Sequence, residues 1–107
     1  MSSKGISLGN TNNNEIYDNK ITANKEIGID LEGHSDNNKI YGNNVTDNEG
    51  MGIYTRLSSN VTIFRNRIMS NDGIAIELGS DVSDVTIYEN TIKMNGGGIG
   101  GGCADSR

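Results

Sequence analysis

The chain contains no proline and no tryptophan, one cysteine and only five aromatic residues, one phenylalanine and four tyrosines. A single cysteine, Cys103, can form no internal disulfide, so the fold does not depend on oxidation. Hydrophobic residues make up 33% of the chain and glycine occurs 15 times, a composition that is also typical of disordered proteins. Composition alone therefore does not decide whether the chain folds.

Basic residues are scarce and dispersed. Nine lysines and arginines stand against fourteen acidic residues, which gives a net charge of −5 and argues against a nucleic-acid partner. The sequence also has no apolar run long enough to cross a bilayer, and its first residues do not resemble a signal peptide. We therefore expect no nucleic-acid and no membrane partner, and a length of 107 residues predicts one structural unit.

A repeat decides against disorder. Four isoleucines, Ile16, Ile40, Ile63 and Ile87, recur at intervals of 24, 23 and 24 residues. Three further rows keep nearly the same spacing: Ile21, Val45, Ile68 and Ile92; Asn19, Asn43, Asn66 and Asn90; and Asn24, Asn48, Asn71 and Asn95. A period of this length indicates a solenoid whose repeats bury their apolar faces against one another.

Each repeat has room for three short strands separated by tight corners. The first follows a glycine and alternates in hydrophobicity, as in Gly28-Ile29-Asp30-Leu31-Glu32, and the other two carry the isoleucine rows. We predict an all-β, parallel β-helix of about four turns over residues 5–95, after a disordered start at residues 1–4. Residues 96–107 form a glycine-rich tail that begins an incomplete turn. The asparagine rows are expected to pass side-chain hydrogen bonds from turn to turn.

The pattern Asn37-Asn38-x-Ile40-x-x-Asn43-x-Val45-x-x-Asn48, followed by Gly52-Ile53, resembles the right-handed parallel β-helix repeat. That repeat is found in carbohydrate-binding and sugar-hydrolysing domains, in mannuronan epimerases and in the periplasmic protein of nitrous oxide reductase maturation. The resemblance implies a right-handed coil, a polysaccharide partner and an extracellular or cell-surface location. It does not supply a catalytic residue, because the Asp-Pro-His motif of the epimerases requires a proline that this chain lacks.

The outward positions of the first strand give one candidate site. Alignment on the glycines predicts two columns, Ser7, Asp30, Tyr54 and Ala75, and Gly9, Glu32, Arg56 and Glu77. Arg56 would then lie between Glu32 and Glu77 in a ladder of opposite charges, a purely structural interpretation. The functional interpretation is a shallow polar groove with His34 at its rim, in which these side chains bind a saccharide.

A column of aromatic residues gives the second candidate site. Tyr17, Tyr41, Phe64 and Tyr88 each follow an inward isoleucine and are expected to point outward. The rings could simply support one another, or they could form a strip against which sugar rings lie.

We predict no catalytic residue, metal or cofactor. The tail resembles a calcium-binding nonapeptide, but Gly102 stands where an aspartate ligand should be. The terminal turns would leave unpaired strand edges, so we expect self-association through the ends, as a closed dimer or a filament, unless the chain is part of a longer coil. The preferred function is a polysaccharide-interacting module without catalysis. The alternatives are a fragment of an extracellular polysaccharide lyase or epimerase, and a structural spacer of a phage fibre or surface protein.

Overall fold

The computed structural model describes residues 4–101. Cys103, the first three residues of the predicted disordered start and residues 102–107 of the predicted tail lie outside the described residues. The described part contains thirteen strands: β1 (Ile6–Gly9), β2 (Glu15–Tyr17), β3 (Lys20–Thr22), β4 (Ile29–Glu32), β5 (Lys39–Tyr41), β6 (Asn44–Thr46), β7 (Ile53–Thr55), β8 (Thr62–Phe64), β9 (Arg67–Met69), β10 (Ile74–Leu78), β11 (Thr86–Tyr88), β12 (Thr91–Lys93) and β13 (Gly97–Gly101).

The strands form three parallel sheets that run the length of the coil. Sheet A has the order β1-β4-β7-β10-β13, sheet B contains β2, β5, β8 and β11, and sheet C contains β3, β6, β9 and β12. Each strand pairs with its counterpart one turn away, as Ile16 does with Ile40 and Ile21 with Val45. The prediction of a parallel β-helix with about four turns and three short strands per turn is confirmed. No helix of the described residues is long and apolar enough to cross a membrane.

The core is built from the predicted rows. Ile40, Val45, Ile53, Ile63 and Ile68 are all completely buried. Full burial of such side chains stabilises the fold by about 1.5–3 kcal/mol each relative to leaving them in water. Because each inward side chain contacts its equivalents in the turns above and below, the core exists only when the turns are stacked.

The buried asparagines form hydrogen-bonded ladders at the corners. The side-chain amide of Asn43 donates to Asn66 Oδ1 at 3.0 Å and to the Ile16 carbonyl at 2.9 Å, and the backbone N–H of Asn43 also donates to Asn66 Oδ1 at 3.0 Å. The same pattern links Asn48 to Asn71. Each amide satisfies backbone groups that the sharp corner withdraws from the strand ladders, which confirms the predicted role of these rows.

The predicted register of sheet A is wrong on its fourth turn. Glu77 pairs with Tyr54 rather than lying beside Arg56, and Ala75 is buried in the core cluster instead of pointing outward. The prediction aligned Gly73 with Gly52, but the residue in register with Gly52 is Ala75, two residues later. The difference arises because β10 extends further than β7 at its start. The row of Asn48 and Asn71 predicts the correct register, because Ile53 and Ile76 lie five residues after these asparagines.

Candidate functional site

A cluster of charged side chains lies on the outer face of sheet A. Asp30 and Glu32 project from β4, and Tyr54 pairs with Asp30 on the neighbouring strand β7. Arg56 Nη2 donates to Glu32 Oε1, and the Arg56 guanidinium carbon lies 5.6 Å from the centre of the Tyr54 ring. Lys4 Nζ contacts Asp30 Oδ2 at 2.9 Å and Glu32 Oε2 at 3.7 Å. Four of the residues predicted at this face are therefore brought together, and Lys4 joins them.

The predicted acid, base, acid ladder is not formed. Glu32 and Arg56 make an ion pair, but Glu77 lies in the other column, in register with Tyr54. The second cation of this face is Lys4, which contacts both Asp30 and Glu32. His34 lies in the corner after β4, with an exposed side chain and a backbone N–H that donates to the Leu57 carbonyl at 2.7 Å.

The two carboxyl groups of β4 differ in their electrostatic environment. Asp30 is 1% exposed, and this burial raises its pKa, against the opposing effect of the hydrogen bond from Lys4. The hydrogen bond from Arg56 holds the pKa of Glu32 below its ordinary value. Carboxyl groups two residues apart on one strand face are thus shifted in opposite directions, an arrangement that also separates acid and base roles in enzymes.

Several polar atoms of this face lack a hydrogen-bond partner. Asp30 Oδ1, Arg56 Nε and Glu77 Oε1 are all buried and unpaired within the described part of the chain. Buried polar groups are normally satisfied, so these atoms mark the least complete hydrogen bonding on the outer surface of the coil. Among residues 4–101, no group of three or more histidine, cysteine, aspartate or glutamate side chains could hold a metal ion.

The aromatic column lies on the outer face of sheet B and forms a continuous stack. Neighbouring rings are 4.8–5.1 Å apart between centroids and within 11° of parallel. These separations are close to the spacing of about 4.8 Å between successive turns, so each ring stacks on its counterpart in the next turn. The terminal rings of Tyr17 and Tyr88 are 50% and 41% exposed, and those of Tyr41 and Phe64 are partly buried. The column therefore presents a continuous strip of stacked rings that is most exposed at its two ends.

Tyr41 is tied to the neighbouring turn through its hydroxyl group. The hydroxyl donates to Glu15 Oε1 at 2.5 Å, and this hydrogen bond to a carboxylate raises the pKa of Tyr41 to about 12. Tyr41 therefore remains a neutral donor throughout the physiological range, which fixes the position of its ring in the column. The sequence pattern identified the column, but it did not indicate this bond.

The stacked parallel sheets and the asparagine ladders define a parallel β-helix. Residues 1–105 match the family model described as a right handed beta helix region, so the chain belongs to that family. No curated protein matches the chain. Among solved structures, a mutant of the periplasmic alginate epimerase AlgG matches 99% of this chain with a TM-score of 0.79 and 21% identity. The match covers 32% of the epimerase, so the chain spans about a third of that protein, and at this identity the likeness shows the fold alone.

Proposed function

We propose that the chain is a polysaccharide-interacting β-helix module without catalysis of its own, and that the aromatic column of sheet B is its main contact surface. The observation that carries the proposal is the uninterrupted stack of four rings across four turns, with its two terminal tyrosines exposed. Amphipathic rings held rigid by stacking offer sugar rings contact area at little cost in conformational entropy. An extracellular or cell-surface location belongs to the same proposal, and the similar epimerase is a periplasmic protein.

Binding to a panel of neutral and acidic polysaccharides tests this proposal. We expect Tyr41→Ala to weaken binding at least about fivefold, because it removes one aromatic contact and the support of both adjacent rings. The matched control is Tyr54→Ala, which removes a tyrosine from the outer face of sheet A. Affinity lost only in Tyr54→Ala would transfer the site to sheet A. A wild-type chain that binds no polysaccharide would favour the structural spacer.

The second candidate function is a segment of a polysaccharide lyase or epimerase, with its site on sheet A. It is favoured by the opposite pKa shifts of Asp30 and Glu32 beside Tyr54 and Arg56, and by the fold shared with an alginate epimerase. Such a pair could hold and move a proton next to a uronate carboxyl group. Release of unsaturated uronate, or exchange of the C5 hydrogen of a polyuronate with solvent, abolished by Asp30→Asn, would support catalysis in place of the binding module.

Self-association through the ends belongs to this proposal, and the ladders give it a direction. Within the described residues, the backbone N–H groups of Asn90 and Asn95 have no acceptor, and Asn19 Oδ1 and Asn24 Oδ1 have no donor. One end of the ladders thus offers donors and the other offers acceptors, which suits head-to-tail contact and not a two-fold dimer. β13 already continues sheet A beyond β10, at the position that β1 of a following copy would occupy. One of these two strands must be displaced before the copies can dock, so the association should be weak.

Sedimentation velocity over a range of concentrations measures this association. We expect the average mass to rise with concentration and to pass the dimer without a plateau, as open head-to-tail contact requires. A mass that stops at the dimer would indicate a closed two-fold contact. A constant monomer mass would contradict association of either kind.

A further inference from the structure

We propose that the outer face of sheet C binds acidic polysaccharide, with Lys20, Arg67 and Lys93 contacting its anionic groups. The inference rests on the proposed polysaccharide function and adds to it a charge class and a second surface. The outward side chains of this face are three cations and five uncharged residues: Lys20, Thr22, Asn44, Thr46, Arg67, Met69, Thr91 and Lys93. No carboxylate projects from it, although the chain has fourteen acidic and only nine basic residues.

Of the eight lysines and arginines in the described residues, three are ion-paired and five are not; the five are Lys20, Arg67 and Lys93 on sheet C, and Lys25 and Lys39 elsewhere. Lys4, Arg56 and Arg65 each form an ion pair with a carboxylate. In contrast, no carboxylate lies within ion-pair distance of Lys20, Arg67 or Lys93 in the described part of the chain. Arg67 Nε makes a weak hydrogen bond to Met69 Sδ at 3.0 Å, and this uncharged partner does not neutralise the guanidinium. The positive charges of sheet C are therefore available to an external anion.

The spacing of these cations follows the axis of the coil. Lys20 and Arg67 lie in the same column, separated by Asn44, so they stand two turns or roughly 10 Å apart. Lys93 is in the parallel column on the next turn, beside Met69. Neutral residues between the cations avoid direct repulsion of like charges, so the face is stable without internal counterions. Threonine and asparagine side chains fill the intervals with groups that hydrogen-bond sugar hydroxyls.

Acidic groups bound this face at its corners. Asp18 and the ion-paired Arg65 and Glu89 lie at the corner before sheet C, and Asp47 lies at the corner after it. Carboxylates on both sides disfavour an anionic chain that crosses the sheet, whereas a chain parallel to the axis contacts only the cations and the neutral residues. A linear polymer with regularly spaced anionic groups fits this arrangement better than a compact anion does.

The test compares polygalacturonate with its fully methyl-esterified form, which has the same backbone without the charge. We expect Lys20→Gln/Arg67→Gln to weaken binding of polygalacturonate about tenfold at low salt, to reduce the salt dependence, and to leave binding of the ester unchanged. The control is Lys25→Gln, which removes an unpaired lysine outside sheets B and C and is compared with Lys20→Gln alone, because each single variant has the same net charge, −5 − 1 = −6. The side chains of Lys20, Lys25 and Arg67 are all exposed, so the variants should fold.

The other outcomes distinguish failure of the sheet C assignment from failure of the proposed function. Equal weakening by Lys20→Gln and Lys25→Gln would show general electrostatic attraction and overturn the assignment to sheet C. Unchanged binding of polygalacturonate by Lys20→Gln/Arg67→Gln, together with loss in Tyr41→Ala, would overturn this inference and leave the proposed function standing. A wild-type chain that binds neither polymer would overturn both.

Discussion

Replacing Asn66 by alanine should remove several kcal/mol of stability, although the residue lies in a corner and not in a strand. The Asn66 side chain is 2% exposed. Its Oδ1 accepts from the backbone N–H and the side-chain amide of Asn43, both at 3.0 Å, and its own amide donates to Asn90 Oδ1 and to the Ile40 carbonyl at 3.0 Å. Alanine leaves the buried backbone N–H of Asn43 without its acceptor and removes one hydrogen bond each from the Asn43 amide, the Ile40 carbonyl and Asn90 Oδ1. Each buried group left unsatisfied costs about 1–3 kcal/mol. The measurement is urea unfolding followed by circular dichroism.

The matched control for Asn66 is Asn19→Ala at the first turn of the same ladder. The Asn19 side chain is exposed and donates to Asn43 Oδ1 at 3.1 Å and to the Tyr17 carbonyl at 3.0 Å. Its removal leaves Asn43 Oδ1 with the backbone N–H of residue 19 as a donor, and water replaces the other contact. We expect a loss of under about 1 kcal/mol. Equal losses at the two positions would show that burial in the ladder does not set the contribution of an asparagine.

The fold was predictable because the residues that build its core and corners recur once per turn. Isoleucine rows spaced by one turn, with asparagine rows a few residues later, leave little freedom for another architecture. The error at Gly73 shows the limit of a single register marker. Glycine marks a close approach of backbones and can occur at several points of a corner, whereas a ladder asparagine must align with its counterparts to make its hydrogen bonds.

The candidate sites were predictable in position but not in electrostatics. Alternation placed Asp30 on an outward face, where an exposed carboxylate is the normal expectation. Asp30 is instead buried and accepts a hydrogen bond from Lys4, which lies 26 residues earlier in the chain and belongs to no repeated row. The lack of outward carboxylates on sheet C also follows from the sequence. It becomes visible only when the outward positions of four turns are placed beside one another.

Substituting Gly50 by alanine should destabilise the coil by about 1–3 kcal/mol or more through overpacking. An added Cβ would lie 2.1 Å from the carbonyl oxygen of Glu26 and 2.6 Å from its carbonyl carbon. Both atoms belong to the backbone of the preceding turn, so no side-chain rotation relieves the clash. The corner is also held by the bonds from Glu49 N–H to the Asn24 carbonyl at 2.8 Å and from Gly73 N–H to the Gly50 carbonyl at 2.9 Å. Thermal and urea unfolding both measure the loss.

Gly9→Ala provides the comparison that isolates this steric effect. No heavy atom lies within 4 Å of the Cβ that Gly9 would gain, and neither Gly9 nor Gly50 has a positive φ. The loss of backbone freedom in the unfolded chain is the same in both variants, and at the open position it should stabilise by about 0.4–1 kcal/mol. A difference between the two midpoints therefore reports the distance between successive turns at the Gly50 corner. If both variants were equally stable, the turns could not be packed as closely there as the Gly50 and Glu26 backbones require.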